Sequence, residues 1–408
     1  MKQFYDLKVP LLNLIIATLL GGLLRYLPIS YIEGINFRYV LHAHSHVAFL
    51  GWVYLAIFIG ILHVYFLNSP VQIKKYKIQF WLTQVSVLGM LISFPLQGYA
   101  LFSILFSSMH ILLSYWFTYS VYKGLQLVPE IKEKHSGSVL FIKASLILLL
   151  ISSLGPWSLG IIMAKGLSFH PVYTLSIYFY LYFQYNGWFT FAALGLFLAI
   201  LEKNNIHIDF KKIKLFFWLM FGACIPGYAL YTLWASPPVM VQWIALMASV
   251  VQTAGAILFL YLIKTSETDK INNKTIKYLL LFALICFTFK IFMQLGGNYL
   301  PIFEIRTFII GYVHLIVIGV ISIFLLAFAF YYRLLISGLL TRMAIILILS
   351  GFAFSELLLF LQGVFSITRK GLIPHYDILL FVSSILMPLG FIIIFLEQLQ
   401  KKKNHLST

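Results

Sequence analysis

Twelve long apolar runs, each closed by a short polar or basic stretch, succeed one another along the chain. They extend from Val9 to Leu27, Val40 to Leu67, Gln79 to Gly98, Ala100 to Gly124, Val139 to Met163, Thr174 to Leu201, Leu215 to Ser236, Val239 to Ile263, Tyr278 to Asn298, Thr307 to Tyr332, Arg342 to Phe365 and Asp377 to Glu397. A helix rises about 1.5 Å per residue, so roughly 20 residues cross a hydrocarbon core of about 30 Å. The pattern predicts an all-α polytopic membrane protein whose 408 residues form a single transmembrane helical domain. The connecting loops are too short for a folded soluble domain, and no sequence repeat is evident.

A hydrophobic share of 61% against 10% charged leaves a soluble domain of this size too little polar surface, so membrane lipid is the solvent for most of the chain. The formal net charge of +17 would suit a polyanion, but the cations sit in short clusters between apolar runs. No soluble face gathers them, which argues against nucleic acid as a partner. They read as orientation signals. With the first residue in the cytoplasm, Lys74, Lys75, Lys77, Lys132, Lys134, Lys211, Lys212, Lys214, Lys270, Lys274, Lys277 and Lys401 to Lys403 fall on the inner side. The outer loops then hold Arg25, Arg38, Lys165, Arg306, Arg369 and Lys370. The positive-inside rule thus predicts cytoplasmic termini and a multi-pass protein of the inner cell membrane. The first run lacks a small-residue cleavage site and continues into Arg25-Tyr26-Leu27-Pro28, which reads as a permanent helix. Cys224 and Cys286 both lie inside apolar runs and form neither a disulfide framework nor a CxxC metal or haem motif.

Ionisable side chains are costly in a bilayer, so an intramembrane histidine is a functional candidate. The densest group is His42-Ala43-His44-Ser45-His46 in the second run, and His314 stands alone in the tenth. Both runs enter from the outer side, His46 eight residues past Arg38 and His314 eight past Arg306. At about 1.5 Å per residue both imidazoles fall roughly 12 Å below the outer edge, a shared level suited to two axial ligands of one haem. On a helix His42 and His46 share a face, while His44 points about 160° away. The triplet alone also suits a copper or zinc site, and interfacial histidines can simply hydrogen-bond headgroups or water.

The run Arg38-Tyr39-Val40-Leu41-His42-Ala43-His44 resembles the Arg, Leu-His and small-polar run opening helix two of the cbb3-type oxidases. With twelve helices and both ends inside, the chain resembles subunit I of the haem-copper oxidases and nitric oxide reductases. The resemblance implies that a histidine of this cluster ligates a low-spin, b-type haem. The motif favours His42 or His44 and depth favours His46, which leaves the register open. In the tenth run the family has two histidines separated by one residue. Here the pair reads Tyr312-Val313-His314, so His314 matches the low-spin ligand and Tyr312 replaces the high-spin one. Arg369-Lys370 stand where the family places cations for the haem propionates.

The copper ligands of an oxidase are absent: the sixth run carries Gln184-Tyr185-Asn186-Gly187-Trp188 and the seventh ends in Thr232-Leu233-Trp234-Ala235-Ser236. The resemblance therefore implies a haem-binding relative without a complete haem-copper centre, acting in electron transfer or in handling nitric oxide or oxygen. Its partners would be other respiratory-type subunits or a quinone or cytochrome donor.

A second polar site is expected in the membrane interior. Lys290 lies twelve residues past Tyr278 and Glu356 fourteen past Arg342, about 18 and 21 Å from the cytoplasmic side. A lone charge there costs at least ~2.5 kcal/mol, so pairing or neutralisation is expected. Gln294 sits one turn beyond Lys290, and Gln184 with Asn186 could complete a polar cavity. Such a site would also serve a twelve-helix secondary transporter, the alternative reading. His110, midway along the fourth run, is a further candidate with no assigned partner.

Overall fold

The computed structural model describes residues 7–67, 70–127 and 136–404. Lys132, Lys134 and the side chains of Lys401 to Lys403, expected among the inner cations, lie outside this description. Among the described residues there is no strand, and twelve helices are long and apolar enough to cross a membrane. They are α1 (Lys8–Tyr26), α2 (Phe37–Tyr65), α3 (Ile73–Gln97), α4 (Leu101–Leu127), α5 (Ser136–Ala164), α6 (Pro171–Lys203), α7 (Phe210–Ala235), α8 (Val239–Lys264), α9 (Lys274–Gly296), α10 (Arg306–Tyr331), α11 (Leu339–Ile367) and α12 (Tyr376–Gln400). The twelve apolar runs correspond to them one for one. The chain is an all-α polytopic membrane protein.

The polar side chains of α4 turn inward among apolar ones, and its outward face is apolar. On α4, Phe102, Leu105, Leu112 and Tyr119 are exposed, while Ser103, His110, Ser114 and Phe117 are buried. Two compact units are formed, one from Met1–Phe117 with Leu325–Thr408, the other from Thr118–Phe324. In the first, α12 packs on both α11 and α1, α1 on α2, and α2 on α3. In the second, sequence neighbours pack in pairs from α5 to α10, and α5 also meets α7.

Helix ends are closed by side chains from other helices. The Glu202 carboxylate accepts from Ser138 N (3.0 Å) and Ser138 Oγ (2.7 Å) at the start of α5. Glu397 accepts from Thr341 N (2.8 Å) at the start of α11. Each carboxylate supplies acceptors to a first turn whose N–H groups have no partner within the helix.

Three spans differ from the rest. In α2, α6 and α10, 83%, 94% and 83% of the most apolar window is buried, against 33–67% in the other nine. Each of the three is also widened by a π-helical segment: Val47–Tyr54, Phe183–Phe189 and Leu315–Ser322. A π turn displaces the ordinary i−4 partner of a carbonyl, and side chains take up the slack. Asn13 Nδ2 of α1 donates to Gly51 O (2.9 Å), Thr190 Oγ1 to Tyr185 O (2.6 Å) and Ser322 Oγ to Val317 O (2.7 Å). The fifth residue of every π segment is glycine: Gly51, Gly187 and Gly319. At Gly51 a Cβ would meet Val87 at 2.9 Å and Asn13 at 3.1 Å, and at Gly187 it would meet Leu148 at 3.0 Å.

Candidate functional site

The α-helical part of α2 starts at Phe37, three residues before the apolar run, because the Asn36 side chain accepts from Arg38 N (3.0 Å) and Tyr39 N (3.3 Å). The whole histidine triplet is therefore helical. His46 is the last residue before the π segment, and its Nδ1 bonds to His42 O at 2.8 Å. A carbonyl can only accept, so Nδ1 carries the proton and Nε2 keeps its lone pair, the form in which imidazole binds iron. The Tyr99 hydroxyl lies 3.3 Å from that Nε2.

His44 takes the opposite face, as the helical period requires. Its Nδ1 donates to Ala17 O of α1 at 2.8 Å, which again leaves Nε2 as the acceptor. The ring fits against Gly21, where a Cβ would come within 3.0 Å of Cε1. His42 turns to the His46 side, with Tyr99 at 4.6 Å and Phe94 at 5.7 Å between ring centroids. The triplet does not converge on one point. Among the described residues, no group of three His, Cys, Asp or Glu side chains is placed to hold a metal ion.

Arg38 is exposed in the first turn of α2. Arg369 and Lys370 are exposed on the α11–α12 loop. Gln362 shapes that loop by donating to Gly371 O (3.0 Å) and accepting from Ile373 N (2.9 Å). Arg369 and Gly371 adopt left-handed φ of 53° and 82° there. His314, half-buried, closes the α-helical part of α10 immediately before its π segment. The same place in α6 belongs to Tyr182. His46, Tyr182 and His314 thus each stand five residues before the glycine of a π segment. The triplet belongs to the first unit and His314 to the second.

Within the second unit, Tyr312 meets residues of α6 and α7. Its hydroxyl donates to Asn186 Oδ1 at 3.5 Å, and Asn186 Nδ2 donates to Tyr231 Oη at 3.2 Å. The Tyr231 ring also lies 6.2 Å from that of Tyr312 and 6.3 Å from that of Tyr185 between centroids, which gathers the four side chains in one cluster. Tyr182 donates to Cys224 O at 2.7 Å. All of these side chains are buried. No family model and no curated protein matches this chain. The cluster has to be read from its chemistry: the Asn186 amide joins the Tyr312 and Tyr231 phenols, and Tyr182 is satisfied by the Cys224 carbonyl.

Lys290 and Glu356 fall in different units. Lys290 Nζ lies 5.8 Å from the centre of the Phe287 ring. Arg25 of α1, in the same unit as Glu356, is one cation that bears on it. Gln184 Nε2 donates to Ser152 Oγ at 3.0 Å. His110 is buried edge-to-face on Tyr54 at 4.8 Å between centroids.

Sequence reasoning passed over Tyr182, Tyr185 and Tyr231, because 25 tyrosines and 38 phenylalanines hide any few that do more than pack. The signal that could have found them is the glycine five residues after His46, Tyr182 and His314. It marks three short stretches with the same departure from α geometry.

Proposed function

We propose that this chain is a haem-binding protein of the inner cell membrane, with both termini in the cytoplasm, in which imidazoles at the α-to-π junctions of α2 and of α10 would hold haem iron. The observation that carries this reading is the equivalence of His46 and His314, each the last α-helical residue before a buried π segment with glycine at its fifth place. π segments recur at functional sites because the widened turn redirects the side chains around it. At His46 the anchored Nδ1 adds the ligand tautomer, and His44 offers the same tautomer on the other face. The bound haem would be low-spin and b-type, serving one-electron transfer or contact with a small gas. Arg38, Arg369 and Lys370, exposed at loop level, supply cations of the kind that pair with propionates.

Asn186, Tyr231 and Tyr312 already satisfy one another, which favours an electron carrier over an oxygen-reducing centre. The test is a reduced-minus-oxidised spectrum of the purified protein with haem quantified, repeated on His44→Ala, His46→Ala and His314→Ala. A low-spin spectrum lost in His314→Ala and in one of the α2 variants is the expected result. Protein that purifies without a Soret band, or a spectrum unchanged by all three substitutions, would overturn the proposal, and a colourless protein would favour the transporter reading.

A further inference from the structure

The buried stripe of α9 changes character halfway along the helix. From the Lys274 end it runs Ile276, Leu279, Ala283, Cys286 and Phe287, all buried and of low polarity. The next three turns carry Lys290, Gln294 and Asn298 at intervals of four residues, flanked by buried Ile291 and Met293. Lys290 is 1% and Gln294 2% exposed, while Asn298, just past the helix end at Gly296–Gly297, is half-buried. The packing that seals the first half therefore gives way to a polar row that ends at the membrane face.

The row is left with free valences. Lys290 Nζ, Gln294 Oε1 and Asn298 Oδ1 are all buried, and none has a hydrogen-bond partner among the described residues. Asn298 turns its amide nitrogen to Ser249 Oγ of α8 (3.0 Å) and to Gln294 O (3.1 Å), which leaves Oδ1 for another donor. An unpaired polar atom in a membrane interior costs several kcal/mol, so three in succession on one stripe demand a shared partner. Water is the partner whose size and valence fit. Residues four apart rise about 6 Å along a helix, roughly two hydrogen bonds end to end, so one water between neighbours spans the gap. Each such water finds the two or more polar partners that buried water requires.

We propose that the half of α9 from Lys290 to Asn298 lines a file of bound water, open only at the half-buried Asn298, through which the Lys290 amine exchanges protons with the adjoining aqueous phase. The ammonium gives a proton to the first water and retakes one from it, with no electron moved and no bond broken beyond N–H and O–H. The apolar stretch from Ile276 to Phe287 closes the other end. This makes Lys290 a one-sided proton site, independently of whether the chain binds haem.

Cysteine accessibility in vesicles of known orientation tests the file. Gln294→Cys and Asn298→Cys should react with a charged, membrane-impermeant thiosulfonate added at one face only. The rate should be at least ~10-fold above that of Phe292→Cys, because a thiol reacts as the hydrated thiolate and Phe292, 62% exposed on the outer surface of α9, faces lipid. The unsubstituted protein, with Cys224 and Cys286, supplies the blank. Labelling of Gln294→Cys no faster than that of Phe292→Cys, or equal from both faces, overturns the proposal. Radiolytic hydroxyl labelling of the unsubstituted protein covers the case in which a variant misfolds. Modification of residues 290–298 with Cys286 spared supports a one-ended file, and equal protection of both halves of α9 refutes it.

Discussion

At the scale of the residue, Asn186 organises more than any single histidine. Its amide accepts from Tyr312, donates to Tyr231, and its backbone carbonyl faces Cys224 Sγ at 3.8 Å, all inside a buried cluster. Removing an amide there leaves two phenols short of a partner, and each orphaned buried group costs ~1–3 kcal/mol. Asn186→Ala should therefore lower thermal stability in detergent more than Tyr312→Phe, which removes one hydroxyl and orphans one acceptor. Equal losses would show that the network is not centred on Asn186. The polarity of Asn186 was visible in the sequence, whereas its phenolic partners were not. The depth argument for Lys290 and Glu356 gave two similar levels, and level alone names no neighbour.

Elements meet where small residues let them. Gly351 on α11 faces Ser383 and Leu386 of α12, and Gly390 on α12 faces Ala344 and Ile348 of α11. A Cβ on Gly351 would lie 2.8 Å from Ser383 O, and one on Gly390 would lie 2.8 Å from Ala344 O. Backbone cannot swing aside as a side chain can, so alanine at either place forces the two helices apart. Gly351→Ala should cost about 1–3 kcal/mol, the usual range for overpacking. Gly222→Ala on α7, with nothing within 4 Å of the added carbon, should cost nothing and gain helix propensity. Thermal unfolding of the two variants in one detergent checks the contrast, and a matching loss in Gly222→Ala would remove close approach as the cause. Helix existence followed from the apolar runs, but the π segments did not. A stretch such as Val47–Tyr54 is apolar throughout, and burial alone favours a helix of any pitch.

For the whole molecule, orientation decides which aqueous phase the Asn298 end of α9 meets. The Lys270, Lys274 and Lys277 cluster and the Arg369-Lys370 pair lie on opposite sides if α9 to α11 each cross once. A reporter active only outside the cytoplasm should be silent when fused after Lys270 and active when fused after Lys370. The reverse pattern would invert the chain, and the water file at the end of α9 would then open to the cytoplasm.

The sequence by itself determined the twelve crossings, since removing some 20 apolar residues from water outweighs every local preference and needs no knowledge of what lies alongside. It also determined the facing of the histidine triplet, because His42, His44 and His46 share one helix and the helical period fixes their angles. Only the tertiary structure decided what those faces meet: Ala17 and Gly21 of α1 for His44, Phe94 and Tyr99 for His46. It alone decided that Asn186 joins Tyr231 and Tyr312, 45 and 126 residues away. A hydrogen bond of about 3 Å depends on the packing of whole helices, and no pattern along a single apolar run records which neighbour it will meet.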